Sequence, residues 1–210
     1  WFNMADVNGD GRADAVLYGK RPGVIESPGI IRVALATGNG NFGAIFATAG
    51  PTNWVPTTPD NSWFTMGDVN GDGLADAVLY NPGINTLSVS LATGKNNGGG
   101  TGAFASQSNI TLPVGRTADG LPTSPANSWF MMADVNGDGQ ADAFLVNYDF
   151  TVALAANSGF AASVTVSYGN GIMPSNGWVT AGDTNADGMH DVVMHGNGYV
   201  FNALSNRGYW

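Results

Sequence analysis

The stretch DVNGDGRAD (Asp6–Asp14) places three carboxylates, one amide and two glycines in nine residues. It returns as DVNGDGLAD from Asp68, DVNGDGQAD from Asp134 and DTNADGMHD from Asp183. Outside these stretches the chain is poor in charge: only 11% of its 210 residues are charged, and 43% are hydrophobic. Twelve of the sixteen acids lie in the four loops, leaving Glu26, Asp60, Asp119 and Asp149 elsewhere. The acidity is therefore local and calls for a local cause.

Working outward from the loops, each is preceded by a tryptophan five residues before its first Asp: Trp1, Trp63, Trp129 and Trp178. A short apolar run comes after each loop, AVLY at Ala15 and Ala77, AFLV at Ala143 and VVMH at Val192. A second run comes next, VALATG at Val33, VSLATG at Val89, VALAAN at Val152 and FNALSN at Phe201. A glycine-flanked aromatic closes the pattern at Phe42, Phe104, Phe160 and, by alignment, Trp210. The Trp-to-Trp spacings of 62, 66 and 49 divide the chain into units at about 1–62, 63–128, 129–177 and 178–210 within one repeat domain. Runs of four to six residues rich in Val, Leu and aromatics, bounded by Gly, Asn and Pro, are strand signals, and no sustained helical period competes with them. The expectation is an all-β, propeller-like array of four-stranded antiparallel blades, about four repeats with the last incomplete. That last unit reads as a piece of something longer; the alternative is that a neighbouring copy, or the N-terminal strand, completes its sheet.

The loop order explains its chemistry. Positions 1, 3 and 5 are Asp, Asn, Asp, position 6 is Gly and position 9 is Asp. Calcium takes six to eight hard oxygen ligands, and acids or amides at alternate positions can wrap them round one ion. Position 7 varies freely (Arg12, Leu74, Gln140, Met189), as expected if only its backbone carbonyl serves. An EF-hand is excluded because position 12 is Leu17, Leu79, Leu145 or Met194 rather than Glu. Zinc is disfavoured because no ligand position offers His or Cys. About four Ca²⁺ ions, each returning two charges, would bring the formal net charge from −9 to about −1. The competing reading, that these are merely soluble turns, does not explain four copies that keep the same oxygen side chains.

The pattern D-x-N-x-D-G-x-x-D between a Trp-led strand and an apolar strand resembles the FG-GAP/VCBS repeats of integrin-α-like propellers, over the whole chain. The resemblance implies four-stranded blades and carries over as calcium ligands Asp6, Asn8, Asp10 and Asp14, with Asp68, Asn70, Asp72 and Asp76. The third set is Asp134, Asn136, Asp138 and Asp142, and the fourth Asp183, Asn185, Asp187 and Asp191. Ala186 departs from the pattern, standing where the other loops have Gly.

Catalysis is poorly supplied. There is no Cys nucleophile, and the two histidines lie in or beside the fourth loop without counterparts in the others, His190 reading as a solvated loop residue at a non-ligand position and His195 as a surface residue ending an apolar strand. The four remaining acids sit in no recognisable catalytic context. Seven basic residues against sixteen acids disfavour a nucleic-acid partner, and no apolar run is long enough for a membrane helix. The tryptophans at the shared unit position are expected to pack between blades. Trp54, in GPTNWVPTTP, is the one aromatic assigned to a ligand, a sugar, and Asn109-Ile110-Thr111 is a glycosylation sequon. The functional expectation is a non-catalytic, extracellular calcium-binding module for adhesion, assembly or glycan binding, since external calcium would keep such sites filled. Its partners are glycans, extracellular proteins or further copies of itself. The alternative is a carbohydrate-binding or spacer region of a secreted hydrolase.

Overall fold

The computed structural model describes residues 1–19, 29–47, 63–81, 86–94, 102–105, 108–111, 129–146, 150–156, 159–161, 164–166, 177–196 and 199–206. Trp54, Trp210 and the four acids outside the loops fall outside these residues. The fold is all-β, with no helix among the described residues.

Each loop closes a hairpin between two strands whose apolar residues pair across it. In the first, β1 (Phe2–Ala5) runs antiparallel to β2 (Asp14–Gly19), with Ala5 opposite Asp14. β3 (Ile30–Ala34) and β4 (Phe46–Ala47) complete a four-stranded sheet in sequence order. The second sheet repeats this plan with β5 (Trp63–Gly67), β6 (Asp76–Asn81), β7 (Thr86–Ser90) and β8 (Ser108–Thr111). The third uses β9 (Trp129–Ala133), β10 (Asp142–Val146), β11 (Phe150–Ala153) and β14 (Val164–Val166). A small side ribbon, β12 (Ala155–Ala156) and β13 (Gly159–Phe160), lies between the last two of these in sequence. The fourth sheet has three strands, β15 (Trp178–Gly182), β16 (Asp191–Gly196) and β17 (Tyr199–Ala203), matching the expected short last unit among the described residues.

The first strands of successive sheets, β1, β5, β9 and β15, touch one another in order, so the sheets stack side by side. Three cores fill the seams between them. The first joins Tyr18, Ile31 and Val33 to Phe64, Leu79 and Phe104. The second joins Tyr80, Leu87 and Val89 to Leu145 and Phe160, and the third joins Phe144 and Val146 to Val192 and Met194. Because inner sheets are covered on both faces, β6 and β10 are buried at every residue. Their sequences therefore read as continuous apolar runs instead of alternating ones.

The shared tryptophans behave according to their place in the stack. Trp63 and Trp129 pack against the second and third cores as expected. Trp1 leans on Tyr18, with ring centroids 5.5 Å apart, and keeps 40% of its surface. Trp178 contradicts the packing expectation: it is 73% exposed, because the face it occupies meets no further sheet among the described residues.

Candidate metal loops and the seams between them

Each loop is held by its own carboxylates. In the first, the N–H groups of Gly9 and Gly11 donate to Asp6 Oδ1 and Oδ2 at 2.7 and 2.8 Å. Asp10 N–H donates to Asn8 Oδ1 at 3.0 Å, and Arg12 N–H to Asp10 Oδ1 at 2.9 Å. The Asn8 amide then bridges to Asp10 Oδ2 at 3.1 Å. The same bonds recur around Asp68, Asn70 and Asp72 and around Asp134, Asn136 and Asp138. Such bonds from a side chain to amides two to five residues on define tight local turns. The glycines at positions 4 and 6 adopt positive φ in the first three loops, 75° and 81° at Gly9 and Gly11, where a Cβ is unfavourable. Ala186 holds the corresponding conformation at φ 62°, a strained position for a residue with a side chain.

Position 9 does something else. Asp14, Asp76, Asp142 and Asp191 have no exposed surface. Asp76 accepts the Val69 N–H at 2.9 Å on one oxygen and the Ala92 N–H at 2.7 Å on the other. Asp14 receives Val7 and Ala36 in the same way, Asp142 receives Val135 and Ala155, and Asp191 receives Thr184 and Ser205. This carboxylate thus ties the loop to the segment after the third strand. Spacing alone cannot reveal this second job, because a ligand and an amide acceptor both demand an acid at that place.

Burial pushes the Asp76 carboxyl up to about 7, against the pull of the Ala92 and Val69 amides and helped by the charges of Asp72 and Asp68. Asp142 rises to about 6 for the same reasons, and Asp14 is raised as well. Asp191 goes the other way. Burial again works to raise it, but the Thr184 hydroxyl, the Ser205 and Thr184 amides and His190 outweigh that effect. At Asp10 desolvation is likewise outweighed by the combined pull of Asn8 and of the amide and guanidinium of Arg12.

The structure therefore brings positions 1, 3 and 5 of each loop into one hydrogen-bonded chain on an exposed turn and sets position 9 beneath it. Among the described residues no three acidic or histidine side chains are gathered as a metal cluster. The donor set nonetheless fits a hard cation: it is all oxygen and strongly anionic, and an oxygen accepting one N–H keeps a second lone pair. The residues that would hold the ion are those at positions 1, 3, 5 and 9 and the carbonyls of Arg12, Leu74, Gln140 and Met189.

The loops are also stitched to one another, which the sequence reading missed. The Ala75 N–H donates to the Asp6 carbonyl at 2.8 Å, Ala141 to Asp68 at 2.6 Å and His190 to Asp134 at 2.7 Å. In each pair the first loop residue of one sheet meets the eighth loop residue of the next. His190, read from sequence as a solvated loop residue, is half-buried in this seam, and its Nδ1 lies 3.2 Å from the Asp134 carbonyl. Its side-chain identity carried no signal for this, because the bond uses its backbone. His195, by contrast, is exposed at a strand end as anticipated.

Comparison with known proteins agrees with this architecture. Among solved structures, one concerns the structural basis of specific recognition of non-reducing terminal N-acetylglucosamine by an Agrocybe aegerita lectin. It matches with a TM-score of 0.74 at 24% identity, over 100% of this chain and 50% of that one. The likeness is one of fold, and this chain spans half the length of that neighbour. No curated protein matches the chain. The model of the FG-GAP-like repeat matches residues 6–79, from the first loop into the second sheet. Over that stretch the chain carries the FG-GAP-like repeat, the family its loop-and-strand pattern resembles.

Proposed function

We propose that this chain is an extracellular, non-catalytic β-repeat module whose four loops hold calcium and whose propeller-like stack of sheets serves adhesion, assembly or glycan binding. One observation carries the reading: four oxygen-only, anionic loops recur at the same hairpin of four successive sheets and are bonded in series through Asp6, Asp68 and Asp134. Bound calcium would supply the positive charge that lets clustered carboxylates stay ionised. The protein's part is to present them: Gly9 and Gly11 turn the chain, Asn8 spaces Asp6 from Asp10, and buried Asp14 anchors the loop to Ala36. Ions enclosed by loop oxygens act as staples, without the open position that metal catalysis uses.

The glycan part of the proposal draws on the solved neighbour, a lectin described as recognising terminal N-acetylglucosamine. A panel of immobilised glycans, including ones ending in non-reducing N-acetylglucosamine, tests it. Binding in millimolar calcium that disappears in chelator is the expected result. Silence across a broad panel in calcium would remove glycan binding and leave adhesion or assembly through protein contacts.

A further inference from the structure

Among the groups that would hold an ion are the carbonyls of Leu74, Gln140 and Met189. The next residue in each case, Ala75, Ala141 or His190, stitches a seam with its N–H. That carbonyl and that N–H belong to one peptide unit, and because the unit is planar, fixing the first fixes the second. The acceptor is the position-1 carbonyl of the preceding loop, Asp6, Asp68 or Asp134. It shares its own peptide unit with the N–H of Val7, Val69 or Val135, which donates to the buried position-9 carboxylate of that same loop. The distances are 3.2 Å from Val7 to Asp14 Oδ2, 2.9 Å from Val69 to Asp76 Oδ2 and 3.0 Å from Val135 to Asp142 Oδ2. Two planar units and two hydrogen bonds thus join a ligand position of one loop to a ligand position of the loop before it, in all three seams.

A second contact runs beside the first. Asp76 Oδ1 holds the Ala92 N–H at 2.7 Å, and two residues on, Gly94 sits against the preceding loop. A Cβ there would be 2.6 Å from the Val7 carbonyl oxygen. In the seam between the third and fourth sheets, Asp191 Oδ1 holds the Ser205 N–H at 2.9 Å, and the Ser205 hydroxyl donates to the Val135 carbonyl at 2.9 Å. In both seams the position-9 acid of one loop is tied, through the segment after the third strand, to the position-2 carbonyl of the loop before it.

Two effects of opposite sign act between neighbouring loops. Filling one with a dication weakens the anionic field felt by the next. Packed sheets lie about 10 Å apart and the Debye length is about 8 Å at 0.15 M salt, so this antagonism between exposed turns is largely screened. Ordering acts the other way. A loop fixed in its liganded shape pins the peptide planes of its neighbour, which then loses less conformational freedom on binding. We infer that in salt the four loops fill as a coupled series, each raising the calcium affinity of the loops next to it through these shared planes. The inference rests on the calcium reading above and adds a regulation to it. By linkage the effect is equal in both directions across a seam.

Calcium titration of the isotope-labelled chain, followed by NMR in about 0.15 M salt, tests it. The N–H groups of Gly11, Gly73, Gly139 and Gly188 each donate to the position-1 carboxylate of their own loop, so each reports one site. Asp72→Ala should silence Gly73 and lower the affinity read at Gly11 and Gly139 about fivefold or more, with Gly188 little changed. Asp138→Ala should silence Gly139 and act in the same way on Gly73 and Gly188, sparing Gly11. Unchanged or raised affinity at the neighbours overturns the coupling and leaves calcium binding in place. An equal fall at every remaining loop also overturns it, because general loosening does not follow the seams. If no glycine of the wild-type chain shifts with calcium, the calcium reading itself fails and the coupling with it.

Discussion

The carbonyl of Asp68 accepts the Ala141 N–H at 2.6 Å, joining the first residue of one acidic loop to the eighth residue of the next. With its counterparts at Asp6 and Asp134, this bond makes the loops part of the seams. A loop that loosens therefore disturbs two sheets. The energetics of the fold should accordingly concentrate where loops and seams meet.

Gly94 reports on that meeting most simply. A Cβ there would lie 2.6 Å from the Val7 carbonyl oxygen and 2.9 Å from Asn8 Cα, both main-chain atoms of the preceding loop. Gly94→Ala should cost about 1–3 kcal/mol by forcing the first two sheets apart. Urea denaturation measures it.

The two acids at positions 5 and 9 of a loop should separate cleanly. Asp76→Ala strips the acceptors from the Val69 and Ala92 amides. Leaving buried donors unpaired costs about 1–3 kcal/mol each, so the variant should be destabilised with or without calcium. Asp72 is a loop acid at position 5. Asp72→Ala should change stability little in chelator and should lose one bound ion in calcium, as read by melting in the two buffers.

Acidity should act in opposite directions with and without metal. Asp76, at about 7, and Asp142, at about 6, sit above the ordinary carboxyl value of 3.8. In chelator the folded chain therefore holds protons that the unfolded chain has released between about pH 4 and pH 7, and stability falls as pH rises through that window. Calcium favours the ionised carboxylates, so the trend should reverse when it is present. The lowered Asp191 and Asp10 contribute stability above the ordinary carboxyl value and lose it only as pH falls below about 4. Melting temperatures at pH 5 and 7.5, in calcium and in chelator, check the sign.

Phe144 has no exposed surface and belongs to the third core. Phe144→Ala should cost about 3–5 kcal/mol, again measurable by denaturation.

Much of this was legible from the repeat alone. The loop and the strand pair it closes reappear in all four units of the folded chain, and the glycine-flanked aromatic reappears at Phe42, Phe104 and Phe160, because hairpin turns and β-rich runs are local signals. What escaped was non-local. Strands β6 and β10 are buried on both faces, so no alternation told which side faced which neighbour. Trp178 shares its sequence setting with Trp63 and differs only in having no further sheet packed over it among the described residues. The anchoring by Asp14, Asp76, Asp142 and Asp191 was hidden because their partners, such as Ala36 and Ala92, lie 22 and 16 residues away.

The most direct measurement is calorimetric titration of the chelator-stripped chain with calcium. About four ions per chain should bind, with affinity at least that of extracellular modules, around 10⁻⁴–10⁻³ M, and the melting temperature should climb as they do. Heats no larger than dilution, with a melt indifferent to calcium, would contradict the account and leave the loops as turns held by their own amides.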